Sequence, residues 1–327
     1  NTIRETNAAN WENNYDFPRA QSGEVVFSEI PHERPTGMFG FAMNTRSPQF
    51  QDWRVREAMI QAFNFEYINQ TQNGGTEPRI TSYFSNSILG MNEGAAEGRV
   101  AELLEPFADD LLPGALEGYT FPVTDGRPAN RAGIREALRL MEAAGYSVED
   151  GVMVDGDGQP FSFDIVLQQG SAEIQAIINI YLEALDRLGI SPNVTTVDSA
   201  QYRERTDRFD YDMTYFERGV SLSPGNEQYL YWGCDMADTE GSRNLMRACN
   251  PAIDAMIGEM LTSADQEDYR AAVRALDRVL TSGRYVIPIW YSPISRIAHD
   301  RALRYPETLP IYGDFLGFQP DVWWYEE

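Results

Sequence analysis

Three short stretches concentrate side chains that can recognise a small molecule without transforming it: SYFSNS at 82–87, YFERGVSLSPGNEQYLYW at 215–232 and EGSRNL at 240–245. Each sets Tyr, Trp, Asn, Ser or Arg among flexible turns. Concave sites use this mixture, with aromatic walls that hold a ligand and a few directed hydrogen bonds that orient it. Ser85, Asn86, Arg218, Ser221, Asn226, Tyr231, Arg243 and Asn244 are the expected ligand-binding residues. Arg218 and Arg243 are the candidates for a ligand carboxylate, because a guanidinium offers a two-pronged fork and the chain contains no lysine. The competing account is ordinary loop polarity, or salt bridges to some of the 50 acidic residues.

Catalytic constellations fail in turn, and no catalytic residue is assigned. All 26 basic residues are Arg, which excludes the P-loop lysine and the amine of Schiff-base enzymes. The two histidines, His32 and His299, lie far apart, and His32-Glu33-Arg34-Pro35 runs into a proline instead of completing H-E-x-x-H. Gly219-Val-Ser221-Leu-Ser223 lacks the last glycine of a nucleophile elbow. The Asp155-Gly-Asp157-Gly run would place Pro160 and Val166 where a calcium loop needs Gly and Glu, so a hairpin turn explains it better. Two cysteines cannot form a zinc site unaided. No metal and no cofactor is expected. A carboxylate pair for glycoside hydrolysis is not excluded by counting acids. A carbohydrate-active enzyme with an aromatic-lined cleft therefore stands as an alternative, beside a ligand-sensing domain.

A chain of 327 residues is long enough for two domains. Its net charge of −24 argues against nucleic acid and anionic membrane surfaces as partners. No apolar run reaches membrane-spanning length. No basic, apolar leader is present at the start, and Asn1 is not a natural first residue, so a mature form or a fragment is expected. Cys234 and Cys249 suit either a reduced pair or one bridge.

The elements that must hold these loops follow from periodicity. MFGFAMN at 38–44 reads as a buried strand, and Asp52 caps a helix carried by Val55, Met59, Ala62 and Phe63 through about Thr71. Residues 74–128 read as a long loop with short helices. Asn130 caps a helix stopped at Gly145, and Ser171 opens a strongly apolar helix stopped at Gly189. SPNVTTVD and FDYDMTYF read as strands around a short helix, giving the alternation of an α/β lobe. Asn250 and Asp265 cap two further helices, and YVIPIWY at 285–291 is a strand interrupted by Pro288.

GFAMNTRSPQFQDWRVREAMIQAFNFEYIN resembles the segment of dipeptide/oligopeptide-binding proteins of ABC importers, family 5 of the bacterial extracellular solute-binding proteins, in which a crossing strand meets the distal lobe. The matching residues are Asn44-Thr45, Arg54-Val55-Arg56, Ala58 and Asn64-Phe65. Residues 172–216 resemble the same family's helix–strand–helix–strand unit, and residues 250–291 its closing helix pair and return strand. PHERPTGMFGF, YFSNS, SLSPGNEQ, DTEGSRN and RYPETLP…LGFQPDVWWY are most similar to a YejA-type subgroup.

The resemblance implies a bilobed α/β fold of the periplasmic-binding-protein type II kind. Residues 1–42 and 291–327 would be parts of the proximal lobe (domain I), and residues 43–290 the distal lobe (domain III), with crossing strands at 40–45 and 288–292. It aligns the chain with the second half of such proteins and implies that an N-terminal half is missing. It further implies a periplasmic, non-enzymatic protein that delivers a peptide or peptide-like ligand to an ABC importer permease. Export in turn implies a Cys234–Cys249 disulfide. Where many members carry an aspartate for the ligand's amino group, this chain aligns Ser221, so that either Glu217 or Glu227 replaces it or a neutral hydroxyl there implies blocked or non-peptide ligands.

Overall fold

The computed structural model describes residues 2–315 and 322–326; the Leu316–Asp321 part of the last family-like block lies outside them. The strands are β1 (Thr2–Glu5), β2 (Val25–Pro31), β3 (Met38–Met43), β4 (Ser147–Glu149), β5 (Val152–Val154) and β6 (Asp164–Gln168). They continue as β7 (Asn193–Val197), β8 (Met213–Arg218), β9 (Val286–Pro288), β10 (Ile294–Asp300), β11 (Leu303–Arg304) and β12 (Trp324–Tyr325). The helices are α1 (Ala8–Asn13), α2 (Pro18–Gln21), α3 (Trp53–Ala62), α4 (Phe65–Asn73), α5 (Gly98–Leu104) and α6 (Arg131–Ala143). They are followed by α7 (Ala172–Asp186), α8 (Ser199–Asp207), α9 (Glu227–Trp232), α10 (Pro251–Thr262) and α11 (Gln266–Ser282).

A five-stranded sheet in the order β7-β6-β8-β3-β9 forms the middle layer of the larger unit. Strand side chains alternate between its faces. On β3, Phe41 and Met43 enter one apolar cluster with residues of α3, α4, α6 and α7. Met38 and Ala42 enter the other, with Trp232, α10 and α11. The sheet is thus covered on both faces, as the α/β alternation predicts. A second sheet, β1-β10-β2, is antiparallel throughout.

Caps predicted from single residues are in place. Asp52, Asn130, Ser171, Asn250 and Asp265 each accept a hydrogen bond from the first turn of the helix they precede. The helix expected to run through Thr71 is instead two. It stops at Ala62, and Asn64 caps α4 through Tyr67 N while its amide donates to Arg127 O at 2.7 Å. The sharpest hairpin lies at Asp150-Gly151, both in the left-handed region, joining β4 to β5. The expected turn at Asp155–Gly158 also closes a short antiparallel hairpin, with Val154 bridged to Pro160 and Asp155 N donating to Gln159 O at 2.9 Å, and the Asp155 carboxylate supports it by accepting from Asp157 N and Gln159 N.

The long connection at 74–128 wraps the surface because buried arginines collect its carbonyls. Arg278 donates to Ala115 O and Asn92 O, and Arg284 donates to Pro113 O while pairing with Glu57 at 2.7 Å. These bonds satisfy backbone groups that would otherwise be buried without partners.

Met38–Met43 pairs with β8 and β9, so the five-stranded unit begins at Met38 and not at residue 43. The crossing segment is accordingly 32–37.

Candidate functional site

Strand directions define the two ends of the five-stranded sheet. β6 runs parallel to β7 and β8, and β3 runs antiparallel to β8 and β9. The carboxyl ends of β6, β7, β8 and β9 therefore share one end of the sheet with the start of β3. In open α/β sheets, ligands bind outside the carboxyl ends of the strands. Both connections to the second sheet leave from this same end: residues 32–37 lead back to β2 and residues 289–293 lead on to β10. They run side by side, with His32 N donating to Pro293 O at 3.1 Å and Pro31 registered against Ile294.

Arg218 ends β8 at this edge, opposite Met38. Its guanidinium carbon lies 4.4 Å from the centroid of the Tyr231 ring and 5.9 Å from that of Phe216. Burial lowers the proton affinity of Arg218; the Tyr231 phenol opposes this and the charge of Arg243 adds to it. Arg243 itself is exposed. The structure thus brings together two of the expected residues, Arg218 and Tyr231. Next to them, the loop carrying Ser221 touches the chain's C-terminal portion through Leu222 N, which donates to the Tyr312 hydroxyl at 3.0 Å. Ser221 Oγ accepts from Ser223 N, and Asn226 is exposed just before α9.

Ser85 and Asn86 take a different part. Ser85 O accepts from Thr36 N, its hydroxyl meets Thr36 Oγ1 at 3.0 Å, and Asn86 Nδ2 donates to His32 O and Arg34 O. The pair fastens crossing segment 32–37 to the five-stranded unit. Asn244 corrects an expectation. It is fully buried, its Nδ2 donates to Ala248 O at 2.8 Å and Gly233 O at 3.3 Å, and its Oδ1 accepts from Ala248 N at 2.9 Å. Its amide is spent on the loop closed by Cys234 and Cys249, which are bonded with Cα atoms 4.4 Å apart. Of the two proposed amine partners, Glu217 is exposed, while the Glu227 carboxylate accepts from Gly225 N and Gln228 Nε2.

Sequence reasoning missed Asp277. It is fully buried on α11 and accepts from Ser82 Oγ at 2.6 Å, Tyr83 N at 2.8 Å, Phe84 N at 3.3 Å and Met91 N at 2.9 Å. Burial pushes its carboxyl up to about 6 against these four bonds. The residue organises the loop that carries Ser85 and Asn86. A lone Asp within an apolar helical stripe was the available signal.

A pocket of about 270 Å³ opens at the opposite end of the sheet, lined by Asn44, Arg46, Asp164, Asp212 and Arg247 among others. Its two arginines already pair with Asp238. Among the described residues, no three His, Cys, Asp or Glu side chains come together as a metal site, and no helix is long and apolar enough to cross a membrane.

Comparison with known proteins places this geometry. Residues 2–239 match the family model of bacterial extracellular solute-binding proteins, family 5, middle. The chain is 38% identical over 322 residues to a putative binding protein of Brucella melitensis biotype 1, covering 98% of this chain and 52% of that protein. It is 38% identical over 325 residues to a probable peptide-binding protein, YejA, of Agrobacterium fabrum, covering 98% and 52%. It is 37% identical over 320 residues to the same organism's peptidoglycan-binding protein YepA, covering 98% and 51%. The chain thus spans about half the length of these relatives. The oligopeptide-binding protein AppA of Bacillus subtilis, solved with a nonapeptide, superposes with a TM-score of 0.72 at 16% identity, covering 100% of this chain and 56% of that one. NikZ of Campylobacter jejuni, solved with Ni(L-His), superposes with a TM-score of 0.70 at 12% identity, covering 99% and 57%. The fold is that of the periplasmic-binding-protein type II class, present here in part, and the chain belongs to family 5 of the bacterial extracellular solute-binding proteins.

Proposed function

We propose that the chain is part of the solute-binding component of a bacterial ABC importer. It supplies the distal lobe and pieces of the proximal lobe around a cleft that takes peptides or peptide-like compounds. One observation carries this reading: two adjacent crossing segments leave the five-stranded sheet at the end where β6, β7 and β8 present their carboxyl ends. Two units joined in this way can rotate about the crossings and close over a solute. Peptide as the solute class rests on the name of the Agrobacterium relative YejA and on the nonapeptide held by AppA. The remainder of the proximal lobe, contributed by an N-terminal half, would complete the cleft, and the importer's permease would be the partner in the membrane. Periplasmic location follows from the same reading and accords with the Cys234–Cys249 bridge.

The test uses the longer protein that contains this chain, titrated with a mixed tri- to pentapeptide library by calorimetry and small-angle scattering. Saturable one-site binding with a smaller radius of gyration and no change in the peptides is expected. Hydrolysis of the added compound, or absence of any peptide binding, would overturn it.

A further inference from the structure

We infer that the Tyr312 hydroxyl is a catch between the two units: it docks on the loop after β8 and favours the arrangement in which the cleft is closed. Its part in holding a solute rests on the solute-binding reading above.

The catch stands on a strap that belongs to the three-stranded sheet. Residues 310–315 lie along the end of β2 and the first crossing segment, where Glu33 N donates to Ile311 O at 2.8 Å and Arg34 Nη1 donates to Tyr312 O at 2.8 Å. Asp314 is buried and pairs with Arg4 of β1 and, at 3.6 Å, with Arg34. Gly313, with φ +65°, lies so close that a Cβ there would stand 3.0 Å from Pro31 O and from His32 Cβ. The strap therefore moves with the sheet β1-β10-β2.

What Tyr312 touches moves with the other unit. Its hydroxyl accepts from Leu222 N at 3.0 Å. Val220 and Leu222 pack against the apolar cluster that holds Trp232, α10 and α11. Just beyond, Pro224 O accepts from the Tyr269 hydroxyl of α11 at 2.8 Å, and Gly225 N donates to Glu227 Oε1 at 2.9 Å. The two ends of this hydrogen bond are thus anchored to different units.

Position decides what the bond does. The crossing segments run side by side at the ends of the neighbouring strands β3 and β9, so together they act as one hinge and leave a rotation free. β8 lies on the far side of β3 from β9, towards β6 and β7, whose carboxyl ends border the proposed cleft. Tyr312 therefore meets the five-stranded unit on the cleft side of the hinge, where opening pulls the partners apart. Tyr312 and Leu222 are both only half-buried, so the phenol and the amide turn to water when they separate and neither is left as a buried orphan. The net value of such a hydrogen bond biases a two-state balance by roughly two- to tenfold. That is enough to set a resting angle and too little to weld it.

The experiment places nitroxide labels at Ser22→Cys, just after α2, and Glu183→Cys, on α7, in the longer protein that contains this chain. Both positions are exposed, and Cys234 and Cys249 are bonded to each other and take no label. Pulsed electron spin resonance reads the distance between the units, and stopped-flow mixing reads release of Ala-Ala-Ala. Tyr312→Phe removes only the hydroxyl. It is expected to move population from the shorter to the longer distance by roughly two- to tenfold and to speed release by a similar factor, with an unfolding midpoint close to wild type. Tyr211→Phe is the control, because its hydroxyl bond to Leu245 O lies within one unit, and it should leave both readings unchanged. Distances unaffected by Tyr312→Phe, or shifted equally by Tyr211→Phe, overturn the catch. Shifted distances with unchanged release overturn its part in holding the solute. Failure of wild type to bind Ala-Ala-Ala or a mixed tri- to pentapeptide library overturns the solute-binding reading, while a distance shift in Tyr312→Phe still supports the catch.

Discussion

Glu77 and Arg296 form a buried ion pair, Oε1 to Nη2 at 2.7 Å, that joins the two units beside their crossing segments. Arg296 belongs to β10 of the three-stranded sheet. Glu77 precedes Pro78, whose carbonyl accepts from Tyr291 N at 3.1 Å in the second crossing segment. Burial raises the Glu77 carboxyl, and Arg296 pulls it back down. The pair thus ties the relative placement of the units to a charge match that neither side satisfies alone.

Removing one partner of such a pair leaves a buried charge uncompensated. Arg296→Met should therefore destabilise the protein by about 3–5 kcal/mol, whereas Glu77→Gln combined with Arg296→Met should recover most of that loss. Urea denaturation of the two variants checks this. A single-variant cost below about 1 kcal/mol would mean that the pair is solvated and does not fix the crossing.

The Cys234–Cys249 bridge closes a segment with a sequence separation of 15. In the chain-entropy model a loop of that size contributes about 3 kcal/mol. The double Cys→Ser variant should lose stability of that order by chemical denaturation. Unchanged stability would show that the reduced chain keeps the loop closed without the bond.

These features were unequally visible in the sequence. Single-residue chemistry was legible: Asn130 and Asp265 announced helix starts because their side chains replace missing helical acceptors locally. Gly145 marked a left-handed stop for the same local reason. Where tertiary partners decide, the sequence was mute. The helical spacing through Phe63 continues, yet the chain breaks because Asn64 is drawn to Arg127 O and Asn130 reaches Gln61 O across the packed helix. Asn244 looked like a loop recognition residue, but only its backbone partners at Gly233 and Ala248 show that it is interior scaffolding. Arg218 was legible as a candidate. That its guanidinium rests on the Tyr231 ring required the fold.

Asp277 should impose a pH dependence of unusual sign for a carboxylate. Its folded value of about 6 lies above the ordinary value near 3.9, so between these pH values the folded state binds a proton that the unfolded chain does not. Its contribution to stability therefore rises as pH falls from 7 to 4, by a total of about 3 kcal/mol at most. The stability of wild type minus that of Asp277→Asn, measured by urea denaturation at pH 7 and pH 4.5, should shift in favour of wild type at the lower pH. A difference independent of pH would show that the four hydrogen bonds hold the carboxylate ionised throughout.

Gly37 is the point at which the crossing segment meets the start of β3 and the end of β8. It lies between Thr36, which is fastened to Ser85, and Met38, which pairs with Arg218. Its φ is +68°, and a Cβ there would stand 2.1 Å from Arg218 O and 2.9 Å from Gly219 Cα. An alanine must bear the left-handed penalty of roughly 1–2 kcal/mol and also push the end of β8 away from the start of β3, for a further ~1–3 kcal/mol of overpacking. Gly37→Ala should accordingly lose at least about 2 kcal/mol of stability by urea denaturation and displace Arg218. Gly219→Ala provides the control, because nothing lies within 4 Å of a Cβ at that position. It should stay within about 0.5 kcal/mol of wild type. If the two variants match in stability, the close approach of Gly37 to Arg218 does not constrain the junction of β3 and β8.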